Sequence, residues 1–345
     1  MNMKRLFQVR SIFETNESEN DKKKELCMDL NQSILNASSR IDPFIRKTNF
    51  SFSEAFSEIL GASVFFKLEN QQFTGSFKVR GALNKILTLI EKKENISSVL
   101  SASTGNHGAA VAYAANKTNI DCNIYVPKGS SQVKLSKMKC YGANVTIFGE
   151  DCVDAEIKAR EFSEQRAIPY ISPYNDFDVI AGQGTLGTEI ISQSDELDVI
   201  IISIGGGGLF SGTASFIKSI WPKVRIIGCS PKNSAVMIHS MEAGKILEIE
   251  SLPTLSDGTA GGVEKDSITF QLCSEFVDES ILVSEDEIKK AMILYIQNES
   301  QLLEGAAGVA VGALIKMRDE LKGKKIGVVI CGGNVSIETL RRVIC

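Results

Sequence analysis

The sequence predicts an α/β protein built as two domains on open, twisted, mainly parallel sheets, and three observations carry that reading. Short apolar runs of strand length recur at Val99 to Ala102, Ile124 to Val126, Val145 to Phe148, Val199 to Ile204, Val224 to Cys229 and Ile326 to Ile330. Longer amphipathic stretches separate them, which is the rhythm of strand–helix–strand units in a parallel sheet. Glycine-rich or small polar segments stand mostly where strands should end, and in such sheets ligands bind beyond the carboxyl ends of the strands.

The chain has 345 residues, more than one simple core usually serves, so two domains or one large α/β unit are expected. The formal net charge of -4 offers no attraction to nucleic acid. No apolar run approaches the length that spans a bilayer. Lys4, Arg5 and Arg10 are not followed by the apolar stretch of a secretory leader. The eight cysteines are scattered without a C-x-x-C pair and read as reduced thiols of a cytoplasmic protein. With His107 and His239 as the two histidines, no metal site is expected.

Taken in order, residues 14 to 25 are mostly charged or polar, so a poorly ordered start over 1–25 is expected. A helical pattern begins near Leu26, an extended segment is expected from Ile41 to Thr48, and Val64 to Glu69 reads as a strand. It ends just before Gly75-Ser76-Phe77-Lys78-Val79-Arg80-Gly81-Ala82. Most lysines are solvated surface charges. Lys78 instead lies between Phe77 and Val79 on a glycine-punctuated turn that opens a helix, and a half-buried lysine has the lowered pKa that suits Schiff-base chemistry.

The strand at Val99 runs into Ser103-Thr104-Gly105-Asn106-His107-Gly108. This segment reads as a helix capped by Ser103, Thr104 or Asn106, as a loop whose hydroxyls and N–H groups hold a substrate carboxylate, or as both. His107 reads as structural rather than as a general base. Helices are expected over Gly108 to Asn116, Ser131 to Tyr141 and Val153 to Arg166. The strand ending at Ile204 is followed by Gly205-Gly206-Gly207-Gly208 and a helix from Leu209 to Ile220. Consecutive glycines let backbone N–H groups approach an anion, and the helix N-terminus adds a favourable dipole. The plainer alternative is a flexible connector. No full G-x-G-x-x-G, suitably placed ribose-binding acid or Gly-Lys-Ser/Thr is present, so a phosphate monoester suits the loop better than a nucleotide.

Ser284-Glu285-Asp286-Glu287 is a capping-box pattern. Glu304-Gly305-Ala306-Ala307-Gly308 opens a small-residue helix running to Met317, with Glu304 either a plain helix-terminal acid or a group at a cofactor's edge. The last strand ends at Cys331-Gly332-Gly333-Asn334, where Cys331 is either a buried structural thiol or a weak hydrogen-bond partner for a ring nitrogen. One lysine, one polar loop, one phosphate cradle and one small polar side chain after the last strand fit pyridoxal 5'-phosphate.

Together these segments resemble the fold-type II pyridoxal-phosphate enzymes (the tryptophan synthase β-like fold), specifically the threonine/serine dehydratase and serine racemase branch. The likeness runs from about Ile41 to the C-terminus in family order. It takes in Ile45-Arg46-Lys47-Thr48, the lysine motif, the Ser103 loop, Ala181-Gly182-Gln183-Gly184-Thr185, the tetraglycine loop, Glu304 to Gly308 and Cys331 to Asn334. The related sulfhydrylases typically carry a Lys-Asp-Arg motif and a Thr-Ser-Gly-Asn loop, which this chain lacks.

The resemblance implies that Lys78 holds the cofactor as a Schiff base and takes the substrate's Cα proton. It implies that Gly205, Gly206, Gly207 and Gly208 bind the phosphate, Asn106 the ring hydroxyl and Cys331 the pyridine nitrogen, with Phe77 and Glu304 near the ring. Ser103, Thr104, Gly105 and His107 would hold the substrate carboxylate, and Asp257 and Gly258 would lie in the substrate pocket. A cysteine at the ring nitrogen would not keep it protonated, so the ring is a weaker electron sink and loss of a β-hydroxyl is favoured over a long-lived carbanion.

The implied reaction is β-elimination of L-threonine or L-serine to a 2-oxo acid and ammonia. The alternative is racemisation of serine or another β-hydroxy amino acid such as hydroxyaspartate, with Thr104 as the acid opposite the lysine. Racemase-like relatives hold a divalent metal with carboxylates, where this chain has Ser230 and Val236. A small mobile domain over 98–175, a large domain from 1–97 and 176–345, and a homodimer are also implied. The chain ends at Cys345, so no appended regulatory domain and no isoleucine feedback are expected.

Overall fold

Two sheets carry the strands in the computed structural model, which describes residues 26–92 and 96–345. The start expected to be poorly ordered lies outside the described residues. Helix α1 covers residues 26–41 and passes into a 3-10 turn at Asp42–Phe44. The extended segment expected from Ile41 is corrected here. Ile41 is buried and helical, and Pro43, whose fixed φ suits a helical turn, carries the turn on to Phe44. The backbone becomes extended only at Ile45.

The chain then follows β1 (Phe50–Phe52), α2 (Glu54–Leu60), β2 (Ser63–Leu68), α3 (Lys78–Glu91), β3 (Ser98–Ala102), α4 (Asn106–Thr118), β4 (Asp121–Val126), α5 (Gln132–Cys140), β5 (Asn144–Ile147) and α6 (Cys152–Arg166). It continues with α7 (Phe177–Gln193), β6 (Val199–Ser203), α8 (Gly208–Ile220), β7 (Arg225–Pro231), α9 (Val236–Ala243), α10 (Ile268–Phe276) and β8 (Glu279–Val283). It closes with α11 (Glu285–Glu299), α12 (Gly305–Lys316), α13 (Arg318–Leu321), β9 (Lys325–Ile330) and α14 (Ile337–Ile344).

The larger sheet has the order β1-β2-β9-β6-β7-β8, and the smaller has β3-β4-β5. All neighbours are parallel except β1 and β2. The Val-Ile-Ile-Ile-Ser run of β6 is buried at every residue, as expected where helices cover both faces of a parallel sheet. The edge strands β1 and β8 were not anticipated. β1 has three residues, and β8 is half-buried along most of its length, so neither shows the continuous apolar run of a central strand. The capping box at Ser284 and Glu287 forms at the start of α11.

Helix α7 packs closely on α3 and α8. A Cβ on Gly182 would lie 2.6 Å from the Arg80 carbonyl oxygen, so the 181–185 segment serves helix packing. A buried ion cluster fixes the first turn of α3. The Arg80 guanidinium pairs with Glu69 at 2.7 Å and Glu189 at 2.8 Å, and Lys67 pairs with Glu189 at 2.5 Å. Each buried charge has an opposite partner, which a dry interior requires.

Candidate active site

A cavity of about 690 Å³ opens where β6 and β9 end and the loop after β3 comes in. Every site residue named from the sequence lines it: Phe77 and Lys78, Ser103 to His107, the four glycines 205–208, Asp257 and Gly258, Glu304, and Cys331. A second opening of about 500 Å³ lies at the amino ends of β6 and β7 among charged side chains, away from these groups.

The lysine turn is stitched to the end of β9. Phe77 N donates to the Cys331 carbonyl at 3.1 Å and Gly333 N to the Gly75 carbonyl at 2.9 Å. Lys78 is the first residue of α3, and its Nζ donates to the Pro173 carbonyl at 2.8 Å. Burial pulls its ammonium down to about 8, with the nearby Glu304 carboxylate opposing the fall. A lysine so placed offers its neutral amine at moderate pH.

The glycine loop leads into α8, whose N-cap Gly207 has φ +87° and makes no side-chain cap. The space beside the loop is already taken. A Cβ on Gly206 would lie 2.5 Å from the Tyr174 ring, and one on Gly205 would lie 2.8 Å from Thr259 Cα. Bare backbone at a helix N-terminus is a fitting cradle for a phosphate, and an amine-bearing Lys78 in the same cavity fits an aldehyde beside it.

Helix α4 corrects one expectation. Its N-cap is Gly105, without a side-chain cap, and Asn106 is already its first helical residue. Ser103 Oγ instead accepts from Gly105 N at 3.2 Å. The positive end of α4 therefore lacks a side-chain acceptor, as do those of α3, α8 and α12 around the cavity. Helices α2, α6, α7, α11 and α14 carry such caps, while α5, α9, α10 and α13 also lack them. The unmet N–H groups at the cavity suit anionic ligands.

His107 is buried, with Nε2 2.9 Å from the Ile171 carbonyl and no partner on Nδ1. Burial and the nearby Lys78 charge push its pKa down to about 3, so the imidazole is neutral. A carbonyl only accepts, so the proton sits on Nε2. Glu304 is the N-cap residue of α12, yet its carboxylate turns away to accept from Asn106 Nδ2 at 2.8 and 2.9 Å and from Asn334 N at 3.2 Å. Burial raises its pKa to about 7. Cys331 is buried and its thiol is raised well above the usual range by burial, with Glu304 adding to the rise.

Asp257 pairs with Lys134 across the cavity mouth at 3.1 Å. Sequence reasoning passed over Lys134, Lys137, Cys152, Tyr174 and Asn334, all of which line the cavity. Asn334 stood in the Cys331-Gly332-Gly333-Asn334 motif and was within reach. The others carried no local signal. Among the described residues, no group of three or more His, Cys, Asp or Glu stands together to hold a metal, and no helix is long and apolar enough to cross a membrane. Ser230 is buried and donates to the Ile204 carbonyl at 2.7 Å.

An open parallel sheet whose strand ends meet a buried lysine and a bare glycine cradle defines a lysine-anchored, phosphate-binding cofactor enzyme of the α/β class. The family model described as "Pyridoxal-phosphate dependent enzyme" matches residues 41–332, and the chain belongs to that family. The chain is 37% identical over 313 residues to an L-threonine ammonia-lyase of Thermotoga maritima, covering 91% of this chain and 77% of that one. It is 36% identical over 315 residues to a serine racemase of Dictyostelium discoideum, covering 90% and 96%. Among solved structures, a processed threonine deaminase isoform 2 from Solanum lycopersicum superposes with a TM-score of 0.87 at 31% identity, covering 92% of each chain.

Proposed function

We propose that the protein is a pyridoxal-phosphate-dependent ammonia-lyase that converts L-threonine or L-serine to a 2-oxo acid and ammonia by β-elimination. The observation that carries this reading is the convergence of Lys78, the glycine loop and the Ser103 loop on one cavity. Bound there, pyridoxal phosphate supplies the electron sink for charge released at the substrate's α-carbon. Gly205 to Gly208 and the N-terminus of α8 hold its phosphate, Asn106 its ring hydroxyl and Cys331 its ring nitrogen, while Phe77 and Glu304 flank the ring. Ser103, Thr104, Gly105 and the first turn of α4 hold the substrate carboxylate. His107 joins them through its backbone, because its neutral ring has its one N–H committed to Ile171. Asp257 and Gly258 border the substrate's side chain.

Lys78 anchors the cofactor and, once its amine is freed, takes the α-proton at Nζ. The uncharged Cys331 thiol leaves the ring nitrogen without a strong proton donor, which favours departure of the β-hydroxyl over a long-lived carbanion. Approach of the 98–175 unit to the rest of the chain excludes water. A cytoplasmic homodimer without a bound metal completes the proposal. It rests on the scattered cysteines, the resemblance, and Ser230 and Val236 in place of metal-binding carboxylates.

A second reading, racemisation of serine or hydroxyaspartate, draws on one observation. The Thr104 hydroxyl lines the same cavity as Lys78, beside Cys152, so a second proton-bearing group is at hand. Incubation with pyridoxal phosphate and L-threonine or L-serine tests both readings, with 2-oxo acid, ammonia and enantiomers followed together. Equal amounts of oxo acid and ammonia are expected. A D-enantiomer without oxo acid would replace the first reading by the second, and no product from a protein that binds the cofactor would refute both.

A further inference from the structure

Four side chains in the cavity form one hydrogen-bonded line with opposite charges at its ends. Lys137, on α5, donates from Nζ to the Thr74 carbonyl at 2.9 Å and to Asn334 Oδ1 at 2.7 Å. Asn334, just beyond β9, donates from Nδ2 to the same Thr74 carbonyl at 2.9 Å and to Asn106 Oδ1 at 2.7 Å. Asn106 passes the line on from Nδ2 to the two oxygens of Glu304. An ammonium only donates and a carboxylate only accepts. Once Glu304 is ionised, above about pH 7, the charged ends leave each amide one orientation, oxygen toward Lys137 and nitrogen toward Glu304.

The turn before Lys78 is shaped around this line. Gly75 has φ +76°, and a Cβ there would lie 2.6 Å from Asn334 Oδ1. Lys137 itself is partly buried, and that burial lowers its pKa while Glu304 works against the fall. A lysine that gives up hydration in a cavity is costly unless its bonds replace the lost water. Nothing in the proposed elimination uses this cation, so its place calls for another explanation.

We propose that Lys137 is a positioning residue for the hydroxyl side of the cofactor, acting through Asn334 to fix Asn106 with its amide N–H facing the ring and Glu304. The inference rests on the reading of Asn106 as the ring-hydroxyl contact. Charge at one end of a hydrogen-bonded chain polarises the amides along it and strengthens the last donor. The line also ties α5, which belongs to the small-sheet unit, to the segment after β9 of the large sheet. Cofactor affinity then depends on the apposition of the two units.

The test compares wild type, Lys137→Met and Lys137→Arg. It reads the dissociation constant for pyridoxal phosphate and the absorption spectrum of the bound cofactor across pH, with far-ultraviolet circular dichroism as the check on folding. The Met variant should bind about tenfold more weakly, the scale of one charge-assisted hydrogen bond, and its spectrum should titrate at a different pH. The Arg variant should stay within about twofold of wild type and keep its spectrum. Lys137→Gln, which keeps a donor without the charge, replaces the Met variant under the same expectation if that one does not fold.

Unchanged affinity and spectrum in the charge-free variant would overturn the inference, as would an Arg variant as impaired as the Met variant. Absence of cofactor binding by wild type would overturn both this inference and the functional reading beneath it. A binding-competent wild type with an unaffected variant overturns the inference alone.

Discussion

Lys78 Nζ donates to the carbonyl oxygen of Pro173, 2.8 Å away, on the segment that leads from the small-sheet unit into α7. A carbonyl accepts from a neutral amine as well as from an ammonium. This contact therefore holds the side chain without locking in its charge, and burial is free to lower the pKa to about 8. The neutral amine is the form that reacts with an aldehyde. Its population should rise as pH climbs through about 8 rather than through 10.5. The rate of pyridoxal phosphate capture by cofactor-free protein, followed by absorbance at fixed cofactor concentration, should increase with a midpoint near that lower value. A rate that stays flat until the ordinary lysine range would contradict it.

Replacing Lys78 by Ala should leave the fold intact. The first turn of α3 is held by the Arg80, Glu69 and Glu189 cluster and by the bond from Phe77 to Cys331, not by the Lys78 side chain. Turnover should fall by at least about 10³-fold, because the anchor and the base are the same atom. Circular dichroism and steady-state ammonia release together check this. A folded variant retaining a tenth of wild-type activity would refute the role given to Lys78.

Thr104→Ala separates the two readings of the reaction. The substitution removes the hydroxyl beside Cys152 but keeps the Ser103 hydroxyl and the uncapped N-terminus of α4. Elimination should remain within about tenfold of wild type, consistent with the loss of one neutral hydrogen bond, while any D-serine formation should vanish. Chiral chromatography of the products is the readout. Persisting D-serine would remove Thr104 from the proton path.

Gly206→Ala probes the cradle. The new methyl group would meet the Tyr174 ring, whose hydroxyl accepts from Glu264 N at 2.9 Å and so resists displacement. Overpacking of this kind costs about 1–3 kcal/mol. The variant should unfold at lower urea concentration and bind pyridoxal phosphate more weakly. Undiminished stability and affinity would show that the ring can swing clear.

Much of this architecture was legible because it depends on local patterns. The Val-Ile-Ile-Ile run of β6 marks a buried strand in any context, and the Ser284 capping box declares the start of α11. What escaped depends on partners far apart in the chain. Glu304 reads in sequence as a helix-terminal acid, yet its carboxylate reaches Asn106, 198 residues away. Lys137 looks like one of several lysines on an amphipathic stretch until Asn334 is brought against it. The helix cap expected from Ser103, Thr104 or Asn106 failed for a physical reason. The residue at the N-cap position is Gly105, which has no side chain, and Ser103 Oγ accepts from Gly105 N instead.

Three lysines line the cavity, Lys78, Lys134 and Lys137, so locating the cofactor's attachment tests the account most directly. The holoprotein would be reduced with borohydride, digested, and its phosphopyridoxyl peptide sequenced by mass spectrometry. The account predicts a single modification on Lys78, in step with loss of ammonia-lyase activity. Modification of Lys134 or Lys137 in its place, or full activity with Lys78 modified, would contradict it.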